Sequence, residues 1–198
     1  MTIKLALFGL ITSFCVGVVY VVTAPFIVES KEAARLHQLY ELALPLLETG
    51  VIGVPVAVNL PDTAPAALIT PLIVTPIADT KGLIGTIFSF ETTEGYGGRI
   101  QLLIALNRAR RIIGVRATEH KETPGLGDRI EVRHSDWILG FNQLKYSDME
   151  QTAWAVKKDG GRFDVFTGAT ITPRAVVNAL RETLAFLEKH PEVLEVAP

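Results

Sequence analysis

Asp164-Val165-Phe166-Thr167-Gly168-Ala169-Thr170-Ile171-Thr172-Pro173 joins what reads as the end of a strand to what reads as the start of a helix. Thr172 has the N-cap residue type and Pro173 suits the first helical position, so a closing helix is predicted from there to about His190. Val176, Ala179, Leu180, Leu184, Ala185 and Leu187 recur at helical spacing and give that helix its buried face. A helix N-terminus leaves backbone N–H groups unpaired and carries partial positive charge, which attracts anions, phosphate above all. Gly168 and Ala169 keep the approach to the main chain open. A plain capping turn would use the same residue types.

Upstream, Gly82–Phe90, Ile100–Leu106 and Ile112–Ala117 are β-rich runs, the last two joined by the polar link Asn107–Arg111. Trp154–Val156 and Phe163–Val165 form a further candidate hairpin across Lys157-Lys158-Asp159-Gly160-Gly161. From Val51 to Ile77 the chain is rich in Val, Ile, Thr and Pro, and its prolines favour short edge strands and loops over central strands. Lys31 to about Leu47 has helical spacing, with Pro45 and Gly50 closing it.

The N-terminal run from Leu5 to Ala24 carries no charge and, at about 1.5 Å per residue, spans the roughly 30 Å hydrocarbon core of a bilayer. It exceeds a typical signal-peptide core of ~7 to 15 residues, and Pro25 would make a poor first mature residue, so a retained anchor is expected. Lys4 on one side, against the mixed charges Glu29, Lys31, Glu32 and Arg35 on the other, leans toward an exported C-terminal domain. The fold class is therefore α+β: a single domain with antiparallel β hairpins and flanking helices, preceded by one N-terminal transmembrane helix.

With 198 residues and a formal net charge of -2, the chain has no basic run of the kind that binds nucleic acid. Cys15 is the single cysteine, which leaves neither an intrachain disulfide framework nor a CxxC metal site. Two further loops carry chemistry. Glu94-Gly95-Tyr96-Gly97-Gly98 is a flexible loop with an aromatic residue, and Glu119-His120-Lys121-Glu122-Thr123-Pro124-Gly125-Leu126-Gly127 follows a strand. His120 between two carboxylates could be mistaken for a metal or hydrolytic site, but no second histidine stands at ligand spacing and no nucleophile motif accompanies it. His37, His134 and His190 read as surface residues.

Together these stretches resemble the covalent FMN-binding domain family, whose string D-x-x-[ST]-G-A-T is matched from Asp164 to Thr170, with Glu122–Gly127 as its companion. Within the family the length and order of features are most like the Rnf-type branch, which couples ferredoxin and NAD, and next most like the flavin subunit of sodium-translocating NADH:quinone reductases. The resemblance runs from anchor to last helix. It implies residues 1–28 as membrane anchor, 29–50 as stalk helix and 51–198 as the covalent FMN-binding domain.

By the same resemblance Thr170 carries FMN through a phosphoester made by a separate flavin transferase from FAD and magnesium, with release of AMP. Asp164 and Thr167 serve recognition and shape that turn, and Gly168 and Ala169 keep its main chain open. Hydrogen-bonding capacity and charge, not the resemblance, give the expectation that Thr172 and Arg174 steady the attached phosphate. Glu122, Thr123, Gly125, Leu126 and Gly127 lie near the isoalloxazine, with Tyr96 and Trp154 as stacking candidates. The implied protein is a carrier with no substrate and no catalytic residue of its own and no metal. It relays electrons in the bacterial inner membrane, its flavin domain on the periplasmic side. Its partners are other membrane subunits, the transferase and lipid. A membrane-tethered module that holds a phosphorylated ligand noncovalently is the competing expectation from another class.

Overall fold

The computed structural model describes residues 2–195; Met1 and residues 196–198, included in the expected anchor and domain, lie outside them. The chain divides between Gln38 and Leu39 into two compact units. A helix, α1, runs from Thr2 to Leu47 and supplies all of the first unit's described residues and the opening turns of the second.

The helix expected from Lys31 to about Leu47 lies within α1, which is continuous through Pro25. Proline removes one N–H from the helical ladder, and the apolar turns on either side resume the bonding beyond it. In the first unit the side chains of Leu5, Phe8, Val16 and Phe26 are exposed. The hydroxyls of Thr12 and Thr23 are turned back onto the helix, donating to the carbonyls of Phe8 at 3.0 Å and Val19 at 2.8 Å. Such back-bonding satisfies a helix hydroxyl without help from water. The most apolar stretch has a mean hydropathy of 2.4 and the helix is long enough to cross a membrane.

The second unit is built on an antiparallel sheet of β1 (Val51–Ile52), β2 (Val56–Val58), β3 (Leu72–Asp79), β4 (Gly82–Gly95), β5 (Gly98–Asn107) and β6 (Ile112–Glu119). The spatial order is β1-β3-β4-β5-β6, with β2 also on β3. Successive side chains of a strand face opposite sides, and here both sides are covered. Val74, Phe88, Phe90, Leu102, Ile104 and Leu106 face the core shared with α2 (Ile171–Lys189), while Ile77, Ile87, Leu103 and Ala105 pack on Leu42 and Ala43 of α1. Double coverage explains why β5 is apolar almost throughout. Each of these large side chains contributes about 1.5–3 kcal/mol through burial.

The prolines of 51–77 fit the two short edge strands, yet Pro76 lies in β3, which is flanked on both sides. Its carbonyl accepts Gly53 N–H at 2.8 Å. In an antiparallel strand a residue's N–H points the same way as its carbonyl, so the missing donor falls opposite the link between β1 and β2, where no ladder bond is needed.

Between β6 and α2 the chain forms short 3-10 turns, and the expected hairpin of Trp154–Val156 with Phe163–Val165 is absent. Those residues make one isolated parallel bridge, Val156 with Phe163, around a 3-10 turn at Lys157–Asp159 that Gly160 closes. Their apolar side chains serve a different purpose. Trp137 meets Phe141 and Phe166 edge-on at 5.3 and 5.2 Å, and Phe163 lies 4.6 Å from Phe141 and 5.7 Å from Trp154. This aromatic cluster replaces a strand pair as the support beneath residues 164–170. It also corrects one candidate: Trp154 is 0% exposed, its indole N–H donates to the Tyr146 carbonyl, and it cannot stack on a ligand.

Candidate functional site

Helix α2 begins at Ile171, so Thr170 occupies the N-cap position expected for Thr172, and Pro173 still falls within the first turn, where its missing N–H is harmless. Thr170 makes no side-chain capping bond. Its hydroxyl instead accepts a hydrogen bond from the Lys158 ammonium at 2.9 Å. The preceding residues form a tight turn in which Ala169 N–H donates to the Phe166 carbonyl at 3.1 Å, and Gly168 takes a φ of 82°. That position demands the left-handed region, which only glycine enters without strain. Phe166 is buried in the aromatic cluster, and the Trp137 indole N–H fixes the Asp164 carbonyl at 2.8 Å. The turn is therefore held from beneath, with its outer face free.

Beside it lies a cavity of about 320 Å³, lined by Tyr96, Glu122, Thr123, Leu126 and Gly127, and by Gly168, Ala169, Thr170, Ile171 and Thr172. Three loops meet there, and Glu122 ties them together. One carboxylate oxygen accepts Gly97 N–H at 2.9 Å, the other the Thr172 hydroxyl at 2.5 Å. Both Glu122 and Thr172 are buried. Gly127 passes over this pair so closely that a Cβ there would sit 2.5 Å from Glu122 Oε2 and 2.8 Å from Thr172 Oγ1. The cavity's mouth is apolar: Tyr96, Leu126 and Ile171 are 69%, 40% and 47% exposed.

Of the residues expected at a flavin, Glu122, Thr123, Leu126, Gly127, Gly168, Ala169, Thr170 and Thr172 line this one cavity. Gly125, Thr167 and Asp164 do not line it. Asp164 forms an ion pair with Lys157 at 2.7 Å, and Arg174 grips Asp159 with two hydrogen bonds of 2.6 and 2.7 Å. The hydrogen bonds from Arg174 hold the Asp159 carboxyl below its ordinary range. Ile171 and Lys158 are site residues that the sequence does not reveal. Lys158 is hidden by its place in an expected hairpin link, and Ile171 by a helix start expected two residues later.

His120 accepts Glu122 N–H at Nδ1 and donates from Nε2 to Glu131 Oε1, 2.7 Å away and outside the cavity lining, and Arg133 grips the same carboxylate. His134 lies 3.1 Å from the Asp128 carboxylate. Burial pushes the Glu131 carboxyl up, but the hydrogen bonds and charges of Arg133 and His120 outweigh it and leave its pKa below the ordinary 4.5. A carboxyl with a lowered folded pKa stabilises the fold fully above the unfolded value, and that contribution is lost as pH falls through the folded one. We expect the denaturation midpoint of the protein to drop as pH falls below about 4.5, and Glu131→Gln to flatten that drop. An unchanged slope in the variant would remove Glu131 as the cause.

Comparison with known proteins agrees with the geometry. Residues 95–185 match the family model described as FMN-binding domain. The chain is 48% identical over 121 residues to the G component of the ion-translocating oxidoreductase complex of Shewanella piezotolerans, covering 60% of this chain and 57% of that one. It is 55% identical over 106 residues to the same component from Pasteurella multocida, covering 52% of each chain. Against its counterpart in Escherichia coli K12 it is 49% identical over 115 residues, 58% of this chain and 56% of that one. The chain thus spans about half the length of the curated relatives it matches, a narrower extent than the anchor-to-helix likeness expected from the sequence.

The cavity fits such a ligand. Its volume is at the lower end of the ~300–1,000 Å³ usual for small-molecule sites, its mouth offers apolar contact, and a helix N-terminus and an ammonium stand at one end for a phosphate. Every residue that lines it falls inside residues 95–185, the stretch that matches the FMN-binding domain model.

Proposed function

We propose that this chain is a membrane-anchored flavoprotein subunit of an Rnf-type ion-translocating electron transport complex, with FMN joined to Thr170 through a phosphoester. The observation that carries this is the Thr170 hydroxyl: it sits at the cavity's edge on a helix N-terminus and is not used as a cap. A secondary alcohol is a weak nucleophile and needs an activating partner. The sequence has no Walker-type glycine loop with lysine to supply one, so a separate flavin transferase is required. Relatives named as components of an ion-translocating oxidoreductase complex favour the Rnf-type branch over the quinone-reductase branch.

The flavin, when bound, supplies one-electron chemistry; the chain supplies attachment, orientation and surroundings. Thr123, Leu126, Gly127 and Tyr96 frame the ring end of the cavity, and Thr170 anchors the other. We assign residues 1–28 to the anchor, 29–50 to the stalk and 51–198 to the flavin domain, on the periplasmic side of a bacterial inner membrane and against other membrane subunits. Attachment suits a relay, because a carrier that loses its cofactor to solvent stops working.

The full chain, expressed with and without a flavin transferase, tests this. Fluorescence of the denatured gel band, together with a mass gain of one FMN less water, is expected only with the transferase. Flavin attached in its absence would make the chain self-modifying, and no attached flavin in either case would leave a noncovalent binding module.

A further inference from the structure

We propose that Lys158 is the residue that pairs with the phosphate of the flavin attached at Thr170, a role that rests on the attachment proposed above. Four cations lie on the stretch that surrounds this turn. Lys157 is held by Asp164 and Arg174 by Asp159, the latter through both guanidinium arms. Arg162 is turned to the Met149 sulfur at 3.3 Å. Lys158 alone reaches the attachment atom, its ammonium donating to Thr170 Oγ1 at 2.9 Å. No carboxylate lies within ion-pair distance of it among the described residues; it feels Asp159 only through space.

This arrangement is unusual for an exposed lysine, whose charge ordinarily seeks a carboxylate or water. Both nearby acids are already engaged by other cations, so the ammonium that touches Thr170 has no carboxylate of its own. Attachment supplies the missing anion. Thr170 Oγ1 forms a bond to the FMN-side phosphorus of FAD as the bond from that phosphorus to the bridging oxygen breaks. AMP leaves with that oxygen, and the hydroxyl proton passes to a base of the transferase. The product is a phosphodiester with one negative charge. An ammonium placed on Oγ1 is within reach of the non-bridging oxygens bonded to the same phosphorus, and it keeps donors to spare once the threonine contact is made. Helix α2 starts at Ile171, directly after Thr170, and the first N–H groups of a helix have no partner within it. Thr172's hydroxyl and Arg174's guanidinium, the groups expected from the sequence, are engaged by Glu122 and Asp159.

The test uses the full chain in detergent, with FAD, magnesium and flavin transferase, comparing wild type, Lys158→Met, Lys158→Arg and Thr170→Ala. Lys158→Met should lower the initial rate of flavin incorporation about tenfold, the effect of one charge-assisted hydrogen bond, and Lys158→Arg should recover most of it. In fully loaded protein the phosphorus-31 resonance of the diester should move on Lys158→Met, which removes the ammonium beside it, and stay near its wild-type position in Lys158→Arg. Incorporation by Lys158→Met at the wild-type rate, or a phosphorus-31 resonance at the same position in Lys158→Met and wild type, overturns the assignment of Lys158. Covalent flavin on Thr170→Ala would instead defeat the attachment site, and the lysine's role with it.

Discussion

Thr170→Ala is expected to abolish covalent flavin while leaving the domain folded. The hydroxyl oxygen is the sole proposed linkage atom, so the loss should be complete rather than graded. Replacing an N-cap threonine costs about 0.5–2 kcal/mol where the side chain caps. Here it caps nothing and bonds only Lys158, which places the cost at the low end of that range. The Phe166–Ala169 turn depends on backbone bonds, on Gly168 and on the buried Phe166, none of which the substitution touches. A gel band without flavin fluorescence, from protein whose denaturation midpoint matches the wild type within about 1 kcal/mol, is the expected result. Peptide mapping that finds FMN on Thr167 or Thr172 would move the attachment. Thr172 is the harder to reconcile with the structure, because it is buried and its hydroxyl is spent on Glu122.

The contrast between these threonines shows where sequence is a good guide. Ile100–Leu106 and Ile112–Ala117 are legible because burial on both faces demands apolar runs, and Asn107–Arg111 marks the turn between them. The closing helix is legible from the spacing of Val176, Leu180, Leu184 and Leu187, all of them buried. Its starting residue is not. Proline is tolerated throughout a first turn, so Pro173 fits a helix beginning at Ile171 as well as one beginning at Pro173 itself. Trp154 and Val156 alternate as a strand would, as do Phe163 and Val165, yet the same spacing serves an aromatic cluster, and only tertiary contact distinguishes the two. Local spacing also says nothing of Lys158, which reaches Thr170 across a turn that takes the place of the expected hairpin. Glu122 could be assigned to the cavity from its loop, but not its bonds to Gly97 and Thr172, because those partners are remote in the chain.

Those bonds make Glu122 the position where one substitution should do the most damage to the fold around the site. Glu122→Ala removes the acceptor for Gly97 N–H and for the Thr172 hydroxyl at once, inside a buried pocket that Gly127 closes. Hydrogen bonds to a charged group are worth about 1.5–3 kcal/mol each, and donors stranded in the interior add their own desolvation cost. A loss of about 2–4 kcal/mol follows, less than the full sum because water can enter the space the carboxylate leaves. Glu122→Gln keeps the shape and one acceptor oxygen, so Gly97 can remain bonded while the contact to Thr172 weakens from charge-assisted to neutral; about 1–2 kcal/mol is expected. Urea denaturation of the full chain reads this directly, because the chain's two tryptophans, Trp137 and Trp154, both lie in the sheet-bearing unit. The midpoint should fall with the slope unchanged, since the same surface is exposed on unfolding. Thr172→Val supplies the control. If Glu122 acts through this bond, the double variant Glu122→Ala with Thr172→Val should be less destabilised than the two single changes added together, because Val leaves no stranded hydroxyl. Strict additivity would show that the carboxylate holds the loops by some contact other than the one to α2.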